Sequence, residues 1–435
     1  MTAEIAVFNS TAVALAADSA VTINHNDLIK INNTANKLFE LCKRHPVGIM
    51  VFNNASLAGS PWELIIKSYR KKNANKPKDT ISDYTNDLIK YLQNDKLIIT
   101  DYMRMKSAQD LFSRKLFEYT HIINQTSMVV LLQENPLSVT VYDFYRLLEE
   151  RIDQEIVSLE GSNFYPNMGN NDYLDALEYV PSYVQESYVQ IIPIDPELAV
   201  PESLREKMLK FAALLICKQH SSKTYTGVVI AGYGEKEYYP AIKTIHIYGL
   251  FKNKLLYTVD EEKTKKSDPF QAGITPFAQE DEVVTFIEGC SRNVNNFTNK
   301  LVEEIILKSR SSLESYLSDK LPPELLNECL QTIVAAQDNY YNEFLHKKQS
   351  FISSNHVAKM LSMLNSLEKV DLAYMAESLI DITAFKRRIS NDHETVGGPV
   401  DVAVISKGDG FVWIKRKHYF PKELNSTFFE RSANY

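Results

Sequence analysis

Cysteine is scarce. Only Cys42, Cys217, Cys290 and Cys329 occur in 435 residues, none at CxxC spacing and most inside apolar runs such as Leu214-Leu215-Ile216-Cys217. That excludes a disulfide frame and a thiolate metal site, and points to buried thiols in a reducing compartment. The nine histidines are scattered with no HExxH pattern, so no metal is expected. Gly232-Tyr233-Gly234 lacks the third glycine and following helix of a dinucleotide loop, and no cofactor is expected. No apolar run approaches the length of a membrane span, and the first residues lack the basic n-region and long apolar segment of a secretory leader. The expectation is a cytoplasmic protein without a membrane partner. A basic excess is missing too: 48 Lys and Arg stand against 55 Asp and Glu, a net charge of -7, which argues against a nucleic-acid partner. The local basic runs Lys386-Arg387-Arg388 and Lys415-Arg416-Lys417-His418 suit a helix C-terminus and a solvated or subunit-facing strand edge. There is no internal repeat beyond a loose similarity of the two halves, and no low-complexity tract.

What remains is an ordinary folded composition, 44% hydrophobic and 24% charged, in a chain long enough for one large core or two ordinary ones. The first eighteen residues alternate and then turn continuously apolar, which predicts two strands joined at Asn9-Ser10. After a polar segment, 24–36, a short strand at Lys37-Leu38-Phe39-Glu40-Leu41 and an apolar strand, Val47 to Phe52, lead to the turn Phe52-Asn53-Asn54. A helix follows from Pro61 to Arg70, with Ser60 as its N-cap. Charged, Tyr-rich helical stretches then run to about Pro201, broken by a loop at 161–173 that is either a lid or a surface excursion. A helix from Pro201 to Lys218 precedes strands at 226–234, 241–248, 254–259 and 282–288. Long helices are expected at 298–319, 322–348 and 358–388, and a closing hairpin at 399–419 around Lys407-Gly408-Asp409-Gly410. Blocks of strands and helices in this order argue against regular βαβ alternation, and strands apolar on both faces argue for sheets covered on both sides.

Chemistry gathers at the start of the chain. If Met1 is removed, which the small side chain of Thr2 permits, the protein begins with an α-amine and a β-hydroxyl on one residue. An α-amine with a pKa of about 7.7–8.0 is a ready base for a hydroxyl that is a poor nucleophile alone. Lys37 aimed at Thr2 would lower both pKa values, and Asp18 would orient that lysine.

Four places carry a family resemblance: Thr2; Leu15-Ala16-Ala17-Asp18-Ser19, with Asp18 sixteen residues after Thr2; Asn36-Lys37-Leu38; and Gly397-Gly398-Pro399-Val400-Asp401-Val402. On these the chain resembles the proteasome β subunit of the N-terminal nucleophile hydrolases, enlarged by helical insertions. The resemblance implies an α+β four-layer αββα sandwich. Its core segments would be 1–72, 201–297 and 391–435, with a helical insertion at 73–200 and an extended helical layer with insertion at 298–390. It implies a threonine peptidase or amidohydrolase, an oxyanion donor at the Asn54 N–H, and support from Ser291 and Asp392. The family's support positions hold His393 and Val396 here. A polypeptide or amide substrate, a homo-oligomer or ring, and an ATP-driven unfoldase are the partners it implies. The alternative is a catalytically inactive scaffold of the same fold.

Overall fold

The computed structural model describes residues 2–25, 28–73, 76–134, 138–191, 200–220, 222, 224–390 and 396–434. The chain forms two compact units, one of residues 1–35, 268–404 and 412–426, the other of residues 36–267, 405–411 and 427–435.

The first unit opens with β1 (Glu4–Phe8) and β2 (Val13–Ala17), the expected pair, antiparallel with Ile5 opposite Ala16. The polar segment that follows carries a hairpin the pattern did not reveal, β3 (Val21–His25) and β4 (Leu28–Asn32).

The second unit begins with β5 (Leu38–Glu40), β6 (Val47–Phe52), and the two-residue strands β7 (Ser56–Leu57) and β8 (Ser60–Pro61). Eight helices follow: α1 (Trp62–Asn73), α2 (Ile81–Asn94), α3 (Asp101–Gln125), α4 (Ser127–Glu134), α5 (Val141–Gly161), α6 (Asn170–Tyr179), α7 (Pro181–Ile191) and α8 (Glu202–Cys217). Strands β9 (Thr226–Gly232), β10 (Ala241–Phe251) and β11 (Lys254–Val259) complete a sheet in the order β11-β10-β9-β6-β5, antiparallel throughout. One core joins that sheet to α1 and α2 through Ile49, Val228, Ile245, Trp62, Ile66 and Leu88. Another is built by α3, α5, α7 and α8 around Phe112, Leu148, Ile152 and Phe211, and takes in Phe251 and Leu256 of the sheet. Each of these fully buried aliphatic and aromatic side chains contributes roughly 1.5–3 kcal/mol of transfer free energy.

A charge holds this helical layer to the sheet. The Arg104 guanidinium is fully buried and donates to the carbonyls of Leu92 (2.9 Å), Gln93 (3.0 Å), Asp95 (2.8 Å), Ile99 (3.0 Å) and Lys252 (3.2 Å). Those include the orphan carbonyls at the C-terminus of α2, where a cation is also favoured by the helix dipole.

The chain returns to the first unit with β12 (Gly273–Pro276), α9 (Asp281–Glu288), α10 (Arg292–Ser318), α11 (Pro323–Ile352), α12 (Ala358–Leu364) and α13 (Lys369–Ile389). It closes with β13 (Asp401–Ser406), β14 (Gly410–Lys415) and α14 (Ser426–Asn434). The first unit's sheet runs β12-β1-β2-β13-β14. Helix α13 packs Leu372, Ala376 and Ile380 on Ile5, Val7, Ala14 and Ala16. Every residue of β1 and β2 is buried, so both faces of these strands are covered.

Two sequence expectations are corrected here. Residues 282–288 form helix α9, not a strand: Val283 and Val284 are its buried side, and Gly289 ends it in a left-handed conformation (φ 70°) with its N–H on the Thr285 carbonyl, 2.9 Å away. The single helix expected over 358–388 is broken at 365–368 between α12 and α13.

The architecture is mixed α and β with antiparallel sheets. Among the described residues no helix is long and apolar enough to cross a membrane.

Candidate functional site

The site in the first unit is assembled by the β1–β2 pair. Asp18, one residue past β2, is fully buried, and its carboxylate accepts three backbone N–H groups. Oδ1 takes that of Ala3 at 3.0 Å, while Oδ2 takes those of Ala20 at 3.2 Å and Gly397 at 3.0 Å. The Asp18 N–H in turn donates to the Ala3 carbonyl at 3.1 Å. One side chain thus ties the start of β1, the end of β2 and the turn before β13. Charge-assisted acceptance of this kind is about twice as strong as a neutral hydrogen bond.

The turn is further closed on Ser19. Its N–H donates to the Gly397 carbonyl at 3.1 Å, its hydroxyl donates to the Pro399 carbonyl, and its own carbonyl takes the Ala35 N–H at 3.2 Å. Gly398 sits at φ 75°, where a side chain would meet the Asn33 backbone oxygen at 3.0 Å, so glycine is required there.

Thr2 exposes 4% of its surface. Its carbonyl accepts the Gln279 N–H at 3.1 Å. Its hydroxyl oxygen is buried and has no hydrogen-bond partner among the described residues. A buried hydroxyl without a partner costs roughly 1–3 kcal/mol, which makes it the group here whose position packing and hydrogen bonding do not explain.

Lys37 lies in the second unit at the head of β5, 5% exposed, its carbonyl accepting the Val51 N–H at 2.9 Å. Asn54 also lies in the second unit. Its N–H donates to the Phe52 carbonyl at 3.1 Å across a tight turn whose central residue, Asn53, has φ 69°. Ser291 is the N-cap of α10, its hydroxyl accepting the Val294 N–H at 3.3 Å. Asp392 and His393 lie outside the described residues.

In the sequence the Gly397-Gly398 pair carries part of the family resemblance, and nothing there marks the Gly397 N–H as a donor to Asp18. A cleft of about 490 Å³ opens at this turn, lined by Ile31, Asn33, Phe385, Arg388 and the two glycines. In the second unit a cleft of about 300 Å³ lies beside Asn54, Ser56, Asp110, Arg114 and Tyr248. Thr2 lines neither.

No family model matches the chain. No curated protein matches it either. Among solved structures, it is similar to Anbu (ancestral beta-subunit) from Yersinia bercovieri at 10% identity, over 99% of this chain and 95% of that one, with a TM-score of 0.27. It is similar to Anbu from Hyphomicrobium sp. strain MC1 at 8% identity over 99% and 95%, TM-score 0.28. The Gly-1 mutant of that protein gives 8% over 100% and 96%, TM-score 0.29.

These findings correct the proteasome β-subunit resemblance drawn from the sequence. With no family model matching and structural likenesses this weak, the chain is assigned to no family, and the ring and unfoldase implied by the resemblance lapse with it. The physical reason is visible in the site. Asp18 accepts backbone N–H groups from the strand ends and the glycine turn, and Ser291 caps a helix, roles that many folds share, so their spacing carries less family information than it suggested.

Proposed function

We propose that the chain is an N-terminal threonine hydrolase of peptide or amide bonds, active once Met1 is removed. The observation that carries this reading is the buried Thr2 hydroxyl with no hydrogen-bond partner among the described residues, set beside an Ala3 backbone pinned by Asp18. A nucleophile must be held in place while its own oxygen stays available, and Asp18 supplies the first without using the second.

In the proposed reaction the Thr2 hydroxyl attacks an amide carbonyl and passes its proton to the α-amine. The amine leaves with that proton, and an ester remains on Thr2. The freed α-amine then takes a proton from water, which attacks the ester and restores the hydroxyl. Asp18 acts as a positioning residue. Lys37 is the proposed cation that depresses the pKa of the Thr2 hydroxyl and amine. Asn54 serves as oxyanion donor only if its N–H leaves the Phe52 carbonyl. Ser291 and Asp392 are carried as supporting positions of the same proposal.

The second reading is a non-catalytic interaction subunit, favoured by the occupied Asn54 N–H and by the 4% exposure of Thr2. A panel of peptides with a fluorogenic amide leaving group separates the two. Under the hydrolase reading the wild type releases the fluorophore, Thr2→Ser keeps part of the rate, and Thr2→Ala loses about 10³-fold or more. Full activity in Thr2→Ala, or no turnover by a wild type that has lost Met1, sinks it.

A further inference from the structure

Helices α10 and α11 form a hairpin of 27 and 30 residues in which only Ile352, at the far end, is buried. No residue of either helix belongs to any of the three hydrophobic cores. Polar contacts join the two helices. Arg310 donates to the Gln337 side chain at 2.8 Å and pairs with Asp338, while Lys348 donates to the Asn295 carbonyl at 3.1 Å and to the Asn299 side chain. In proteins most of a helix's stability comes from burying an apolar face, and hydrogen bonds at an exposed seam stabilise little.

The exposed face of α10 is not polar. Val294, Phe297, Leu301 and Ile305 are 56%, 66%, 43% and 57% exposed. At about 100° per residue they fall within an arc of roughly 80°, and Tyr316, 60% exposed, continues the same stripe. The stripe runs some 33 Å along the helix at about 1.5 Å per residue.

We propose that this stripe is the interface with a second copy of the chain, α10 packing antiparallel on α10 of the partner with Ile305 at the two-fold axis. Three observations single out a second copy. The five side chains offer on the order of 100 Å² each, about 500 Å², which is the apolar share of a standard interface of roughly 800 Å² per partner. Residues 292–352 carry seven basic and eight acidic side chains, so two copies meet without the repulsion that the net charge of -7 would otherwise impose. Ile305 is midway between Val294 and Tyr316, so an antiparallel pairing about it sets each of these two side chains opposite the other, as an isologous contact allows. Two hairpins joined in this way make a four-helix bundle, which supplies the core that each lacks alone.

Sedimentation of the full chain across about 1–50 μM tests the proposal. The wild type should sediment as a dimer or an even multiple, and Leu301→Glu with Ile305→Glu should halve that mass with the circular dichroism unchanged, because both side chains are exposed in the single chain. Ile305→Cys, which introduces no charge, should cross-link to a dimer on oxidation, whereas Tyr340→Cys on α11 and the wild type should not. A monomeric wild type, a double variant of unchanged mass, or an Ile305→Cys protein that fails to cross-link overturns the interface.

Discussion

Two helical stretches interrupt the strands of this protein, and they end in opposite states. The α3–α8 stretch closes around its own core of Phe112, Tyr119, Leu148 and Phe211 and is pinned to the sheet by Arg104. The α10–α11 hairpin, with helices as long and a similar mix of charged and apolar residues, buries almost nothing. Both read from sequence as helical inserts. The difference lies in what each apolar stripe meets: that of α3 lies between α5, α7 and α8, while that of α10 faces outward. Amphipathic periodicity therefore establishes that a helix has a side to bury, and only the tertiary arrangement establishes where.

The first way to sharpen this contrast concerns what lies outside both stretches. The proposed chemistry belongs to strand residues, so Lys37→Met should lower hydrolysis by about 10³-fold, near 4 kcal/mol, while the helical content stays unchanged. A rate within a few-fold of wild type removes Lys37 from the mechanism.

Within the first stretch, Phe211→Ala should cost roughly 3–5 kcal/mol by urea denaturation, because a fully buried ring leaves a cavity among Phe112 and Tyr119. A loss below 1 kcal/mol would mean that the core is not packed as described.

Acid provides a gentler probe of the same stretch. Both ring nitrogens of His220 are buried without partners among the described residues, and burial, reinforced by Lys115 and Arg114, holds its pKa down at about 4. Unfolded, it titrates near about 6.5, so between these values the unfolded chain binds the additional proton. Stability present above pH 6.5 is therefore lost as the pH falls toward 4, by about 2 kcal/mol between pH 7 and 5. His220→Gln should remove that part of the slope, and an unchanged slope would show that His220 is not its source.

The smallest effect belongs to the hairpin. In dilute solution, where chains are single, Ile305→Ala should shift stability by less than about 0.5 kcal/mol. A shift like that of Phe211→Ala would erase the contrast between the two stretches.

Much of the strand framework was legible. Strand β1 is apolar from Ile5 to Phe8, β2, β6 and β9 are largely apolar runs bounded by turn residues, and all four are buried throughout. The β3–β4 hairpin was not, because Asn, His and Lys interrupt its alternation. Helix α9 was misread because β-branched Val283 and Val284 favour a strand locally, while burial of one face decided for a helix.

In the site, the position of Asp18 at a strand end was readable, and its three backbone donors were not. They come from residues as distant as Gly397, and a spacing pattern says nothing about pairing across 379 positions. For the same reason a spacing match to a known family outran what the whole chain supports. The five donors on Arg104 likewise left no mark in the sequence, where the residue reads as one more charge on a helix.

The central claim is that Thr2 becomes the nucleophile at the head of the mature chain. Intact-mass measurement of the purified protein, before and after treatment with a threonine-directed epoxyketone, tests it most directly. The expected result is a mass lacking Met1 and a single adduct located at Thr2; retention of Met1, or no adduct on a chain that has lost it, would contradict the catalytic role of Thr2.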